Sequence, residues 1–181
     1  MAGTAQPQLW SARKMRWVLR YYPPLFFQRI VLVHVAEDFR TARVRVKRSL
    51  LTRNLNGTTF GGTIYAAADP IFALMYWQAL ARRGVATQSW LMASRVQYRK
   101  PVTTSLALDF SLSAADLDAA EAELRRRGKA VRVHPVEAAI AIIVYVVLLI
   151  APSGARGMAT PLPPTPLPPS PLPRTFDCAA A

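Results

Sequence analysis

The spacing of apolar and polar positions changes several times along the chain, and each change marks a predicted element. From Leu9 to Tyr22, the apolar Trp10, Met15, Val18, Leu19 and Tyr22 alternate with Arg13, Lys14, Arg16 and Arg20 until Pro23-Pro24 intervenes. That pattern predicts a short amphipathic helix ended by proline. Ile30–Val35 is an apolar β-rich run, Glu37-Asp38 a turn, and Thr41–Lys47 alternates with one basic face, so a hairpin is expected. Thr63–Arg83 is apolar almost all round, as in buried helices, and closes with Arg82-Arg83-Gly84. A proline at position 70 predicts a bend there or the start of a second helix. Ala86–Val102 reads as a long strand, and Leu106, Leu108, Phe110 and Leu112 alternate cleanly with polar or small residues. Ser113 with Asp116 caps a helix that runs through Leu117, Ala120 and Leu124 to Arg127 and stops at Gly128. Strand character resumes over Ala130–Val136.

The run from Ala138 to Ala151 is apolar throughout and holds no turn residue. It is short for a membrane span, which takes about 20 residues, and its β-branched content favours a buried strand. A proline-rich stretch over 152–174 follows and suits extended or disordered chain, a form that aromatic-grooved domains bind. The expected organisation is an N-terminal segment with its helix over 1–24, a folded domain over 25–151 and a disordered tail over 152–181.

Composition narrows the function classes. Of 181 residues, 52% are apolar, enough for the core of one domain. A net charge of +13 calls for an anionic partner class: nucleic acid, an anionic membrane surface, or an acidic ligand such as coenzyme A. No aromatic-basic RNA-binding signature and no zinc-finger spacing occurs, so nucleic acid is not expected. No acid precedes Glu37, so the first helix suits a membrane surface as well as the domain edge, and packing on the domain edge is the expected role. His34 reads as an ordinary strand residue. His34 and His134 stand 100 residues apart without a carboxylate–cysteine cluster, which makes no metal site. Cys178, the single cysteine, excludes a disulfide within the chain.

The candidate chemistry lies in Asn54-Leu55-Asn56-Gly57-Thr58-Thr59-Phe60-Gly61-Gly62, directly ahead of the alanine-rich run that carries Asp69. Glycines there suit a tight loop feeding a helix. The first amides of a helix have no internal partner and sit at the positive end of the helix dipole. They can hold an oxygen that becomes anionic during reaction. Asp69 follows about two turns later, and a carboxylate among apolar residues is costly unless paired or functional. Asp before Pro is also a common helix start, which would make Asp69 an N-cap.

Asn54, Gly57, Gly61, Gly62 and Asp69 fall at the intervals of an Asn…Gly…(His)-Gly-Gly…Asp signature. In this the chain resembles the hotdog-fold acyl-CoA thioesterases of the phenylacetic-acid-degradation type. Gly57-Thr58-Thr59-Phe60-Gly61-Gly62 followed by Ala66-Ala67-Ala68-Asp69-Pro70 is closer still to an uncharacterised hotdog branch bearing a domain-of-unknown-function label. Tyr98-Arg99-Lys100-Pro101 resembles the aromatic-x-Lys/Arg-Pro ending of a hotdog strand. The resemblance covers residues 15–135, and the ending from residue 138 departs from it.

The resemblance implies an α+β fold in which an antiparallel sheet wraps around one central helix. It also implies an acyl-CoA or acyl-carrier thioester as substrate, a homodimer or homotetramer, no cofactor and a cytoplasmic location, with an organelle or a membrane surface as alternatives. Asp69 would act as general base or nucleophile, an amide at Gly61-Gly62 would polarise the carbonyl, and Asn54 would orient the water or the loop. Gly57, Thr58, Phe60, Tyr65, Arg99 and Lys100 would contact substrate. Phe60 stands where the best-characterised members carry His, and a phenyl ring moves no proton. The competing expectation is therefore a non-catalytic acyl-binding or dimeric interaction module, or a membrane-associated protein.

Overall fold

The computed structural model describes residues 6–138 and 142–153. The Ser11 side chain accepts a hydrogen bond from the Lys14 amide and so opens helix α1 (Ala12–Tyr21). Pro23-Pro24 ends that helix and also begins another, α2 (Pro23–Phe27), because proline at the first helical position gives up an amide that would be unpaired anyway. Strands β1 (Ile30–Val35) and β2 (Thr41–Val46) form the expected hairpin. In β2, Ala42, Val44 and Val46 are buried between exposed Thr41, Arg43 and Arg45.

After one 3₁₀ turn at Leu50–Thr52 comes helix α3 (Gly61–Arg82), then β3 (Thr87–Tyr98), β4 (Leu106–Ser111), α4 (Ala114–Arg127), β5 (Ala130–Ala138) and β6 (Ile142–Pro152). The strands make two antiparallel ladders, β1-β2-β4 and β3-β6-β5, and β4 lies against β5 where they meet. Helix α3 packs against β2, β3, β4 and β6 and buries Ile64, Ala67, Ala68, Ile71, Phe72 and Met75 in a single core with both ladders. α1 joins the same core through Ala12, Met15 and Leu19.

Three expectations need correcting or completing. α3 runs unbroken through Pro70, so no second helix starts at Asp69-Pro70. The Ala66 carbonyl, four residues before Pro70, loses its intrahelical donor. Burial of Ala67, Ala68, Ile71 and Phe72 around that point holds the helix together. From Ile142 onward the apolar run near the end is a strand, β6, which takes the middle place in its ladder between β3 and β5, while Ala138 ends β5. Val146, Val147 and Leu148 are all buried, a two-sided burial that an alternating strand would not tolerate. The connection over 139–141 and residues 154–181, which hold the rest of the proline-rich stretch and Cys178, lie outside the described residues, among which no helix is long and apolar enough to cross a membrane.

Two features of this architecture set up the site. The half-exposed positions of α3 recur as Gly61, Tyr65, Asp69, Ala73 and Trp77, one stripe along the helix. Strand β3, which packs on α3, has β6 as its ladder partner and no second strand along its other edge among the described residues, and its side chains are half-exposed from Leu91 to Gln97.

Candidate active site

The glycine-rich stretch closes on itself before it enters α3. The Asn54 amide donates to the Thr58 carbonyl at 2.8 Å, and the Asn54 side chain both accepts from the Thr58 amide (3.0 Å) and donates to the Thr58 hydroxyl (2.7 Å). Gly57, at φ 77, makes the left-handed turn that this closure needs and donates to the Asn54 carbonyl at 3.0 Å. Arg48 caps the loop from outside by donating to the Gly57 carbonyl at 2.8 Å. Backbone bonds from Thr59 to the Val102 carbonyl (2.7 Å) and from Phe60 to the Thr52 carbonyl (2.8 Å) then fix where α3 begins.

Phe60 is the residue before the helix and supplies no side-chain cap. The Gly61 and Gly62 amides have no acceptor among the described residues and stand at the positive end of a helix of 22 residues. Tyr98 donates from its hydroxyl to the Gly61 carbonyl at 2.9 Å. Its ring lies so close that a Cβ at position 61 would come within 2.9 Å of it, which explains glycine there. Beside this helix start is an open groove of about 440 Å³ lined by Asn54, Thr58, Thr59, Gly61, Tyr98, Arg99 and Lys100, among others. The Thr59 hydroxyl is buried in the wall of that groove without a hydrogen-bond partner among the described residues.

Asp69 lies two turns along α3 from the helix start. It is half-buried, has no hydrogen-bond or ion-pair partner among the described residues, and burial pushes its carboxyl above the ordinary aspartate range. With the helix continuous on both sides, Asp69 caps nothing. Gly61, Tyr65 and Asp69 share one stripe, but the rise from Gly61 to Asp69 is about 12 Å.

The family described as "Domain of unknown function (DUF4442)" matches residues 12–145. The chain belongs to that family. Among solved structures, a protein of unknown function from Pseudomonas aeruginosa, described as a probable thioesterase, superposes with TM-score 0.70 over 81% of this chain and 99% of its own at 11% identity. A proposed thioesterase from Shewanella oneidensis gives TM-score 0.63 over 78% and 97% at 18% identity. A thioesterase from Haemophilus influenzae gives 0.57 over 81% and 94% at 11% identity. No curated protein matches the chain. At these identities the likeness is one of fold, and the fold is the α+β hotdog, its antiparallel strands arranged around the central α3.

In this member of the DUF4442 family, Asn54, Thr58, Gly61, Arg99 and Lys100 come together around the groove. Gly57 shapes the loop beside it, in a second depression with Asn54 and Asn56. Phe60 is exposed, and its ring covers Gly62, where a Cβ would come within 2.5 Å of it. Tyr65 and Asp69 do not line the groove; they continue the open stripe of α3. The sequence reading missed Tyr98 and Thr59 as groove residues. Tyr98 was legible as the aromatic of Tyr98-Arg99-Lys100-Pro101, whereas nothing in the sequence distinguishes Thr59 from Thr58. His34 lies exposed on β1, while His134 is a core residue. It shares a 2.8 Å hydrogen bond with the Tyr76 hydroxyl and stacks on Phe72, and burial pushes its ring below the ordinary histidine value.

Proposed function

We propose that the protein hydrolyses acyl thioesters at a site built by two copies of the chain. The observation that carries this reading is Asp69: a half-buried carboxylate in mid-helix, without a partner among the described residues and raised in pKa by desolvation. Such a group costs stability and is suited to take a proton from water near neutral pH. The open amides of Gly61 and Gly62 are suited to the other half of the reaction, drawing charge onto the thioester oxygen as the tetrahedral intermediate forms. Water attacks the carbonyl carbon as its proton passes to Asp69, and collapse of the intermediate to the carboxylic acid expels the thiolate, which takes that proton back from Asp69 and leaves as the thiol. Arg99 and Lys100 at the groove mouth would meet the phosphates of a coenzyme A carrier.

Base and oxyanion donors must each lie within hydrogen-bond reach of one reacting group. The rise of about 12 Å between Gly61 and Asp69 argues against both serving one thioester within a single chain. An antiparallel pair of α3 stripes would bring Asp69 of one copy beside the helix start of the other. The place of β3 at the end of its ladder among the described residues supports such a pair, because two β3 strands can continue one sheet there. A second reading, an acyl-binding module without turnover, is favoured by the exposed ring of Phe60 beside Gly62.

The deciding experiment assays purified protein and its Asp69→Asn variant on a panel of acyl-CoA thioesters. The thioesterase reading expects turnover in the wild type and its loss in the variant, with both dimeric by sedimentation. Mixing Asp69→Asn with an inactive Gly61 variant would restore turnover if each site draws on two copies. A folded dimer inert on every chain length would overturn the catalytic reading in favour of the binding module.

A further inference from the structure

Helix α1 buries one face and leaves the other to solvent. Opposite Met15 and Leu19, Trp17 is 65% exposed and Tyr21 57% exposed, with their rings 5.4 Å apart. α2 packs on α1 and extends this surface with Phe26 and Phe27, the latter 66% exposed. Scattered surface aromatics need no explanation, but four on two adjoining short helices form a patch of the kind that marks an interaction site. Beside it, a small cleft between α1, α2 and the β1–β2 hairpin is lined by Arg20, Phe26, Arg29, Ile30, Val31 and Lys47. Arg20, Arg29 and Lys47 take part in no ion pair among the described residues.

Arg29 is held in the left-handed region at φ 55, an uncommon place for arginine. Its amide donates to the Phe26 carbonyl and its carbonyl accepts from the Lys47 amide, each at 3.0 Å, so the strained residue ties the end of α2 to the hairpin. Between Ala12 and Ala36 the chain has five cations and no carboxylate.

We propose that the α1–α2 face docks the protein onto an anionic phospholipid surface. A lipid phosphate occupies the Arg20–Arg29–Lys47 cleft, and Trp17, Tyr21, Phe26 and Phe27 sit at the boundary between headgroups and acyl chains. Tryptophan and tyrosine favour that boundary because one end of the ring is apolar and the other can stay wet. Cations near an anionic leaflet add attraction that salt screens. Nucleic acid fits less well, because base stacking needs open parallel ring faces. Here the rings tilt onto one another, Trp17 on Tyr21 at 58° and Phe26 on Phe27 at 82°. A second copy fits less well again, since an isologous contact would set these cations against themselves.

The proposal is independent of the thioesterase reading, and none of these residues lines the groove of the candidate active site. The test is sedimentation of the full chain with phosphatidylcholine vesicles and with vesicles that also contain phosphatidylserine. The protein should pellet with the anionic vesicles at low salt, stay in solution with the neutral ones, and be released at high salt. Arg20→Gln, Arg29→Asn and Lys47→Gln should each lower partitioning about fivefold. Phe26→Ser with Phe27→Ser should abolish it, and Trp17→Phe should remove the fluorescence blue shift that accompanies binding. Trp17→Ser, at an exposed helix position, carries the apolar arm if the double variant does not fold. Equal pelleting with both vesicle types, or partitioning unchanged by these substitutions, would overturn the proposal. So would duplex DNA binding lost in the same variants, or a wild-type dimer that Phe26→Ser with Phe27→Ser takes apart.

Discussion

Asp69 in α3 and Asp116 in α4 are both half-buried carboxylates on helices that pack against one core, yet their surroundings have opposite effects. Burial acts to raise both acids. At Asp116 the hydrogen bonds from Ser113, through its side chain at 2.6 Å and its backbone at 2.8 Å, outweigh burial. With the charges of His134 and Arg132 they hold the carboxyl below the ordinary aspartate range. Asp69 has burial alone, and its carboxyl rises. Asp116 sits at the third position of a capping box, where its Oδ2 accepts from both the amide and the hydroxyl of Ser113. Asp69 stands where a helix needs no acid at all. A carboxylate whose ionised form is held by capping hydrogen bonds is a poor base, so the acid that the fold raises rather than lowers is the one suited to react.

The largest expected effect separates the two by activity. Asp69→Asn keeps the shape and removes the base, and should lower acyl-CoA turnover by about 10²–10⁴-fold, the usual worth of a positioned general base. Asp116→Ala should leave turnover unchanged and cost about 1 kcal/mol in urea denaturation, through loss of its cap. Equal losses of turnover in the two variants would mean that α4 acts in the reaction and that the contrast is false.

A smaller effect should appear in stability against pH, with opposite signs. For Asp69 the native pKa lies above the unfolded one, so its charge costs nothing below the unfolded value. The penalty grows as pH rises through the interval and is full above the native value. For Asp116 the native pKa lies below the unfolded one; its stabilisation is present above the unfolded value and is lost as pH falls toward the native value. Asp69→Asn should therefore melt above wild type at neutral pH and Asp116→Ala below it, with both gaps narrowing in acid. Melting curves for the three proteins across that range decide the matter. An Asp69→Asn curve lying on the wild type at neutral pH would show that Asp69 carries no buried charge.

The two acids also show what a sequence can and cannot convey. Ser113 and Asp116 predicted a capped helix from local rules, and Gly128, at φ 68, ends it as expected, because capping depends on residues three or four apart. Asp69-Pro70 was ambiguous for the same reason: the local rule for Asp-Pro favours a helix start. Only burial of Ala67, Ala68, Ile71 and Phe72 by distant strands keeps α3 unbroken. The alternating strands β2 and β4 were legible from period two. The role of β6 as a middle strand was not, since an apolar run reads alike for any fully buried element. The groove was half legible: Asn54, Thr58 and Gly61 lie close in sequence, but Tyr98 reaches Gly61 across 37 residues through a contact that no local pattern records.

That contact offers the finest test of the contrast. A Cβ at Gly61 would displace the Tyr98 ring, so Gly61→Ala should disturb the helix start and reduce turnover with it. Tyr98→Phe keeps the ring and deletes only the 2.9 Å bond to the Gly61 carbonyl. Because the tyrosine is half exposed, water can replace its hydroxyl, and the loss should be about 0.5 kcal/mol in denaturation, at the low end for a hydrogen bond. If Tyr98 only positions the amides, turnover should fall a few-fold and keep its pH profile, since the proton still goes to Asp69. A Tyr98→Phe loss as deep as that of Asp69→Asn would mean that the hydroxyl meets the substrate directly. The reactive member of the pair would then be a phenol in the groove, and the strain stored at Asp69 would need another explanation.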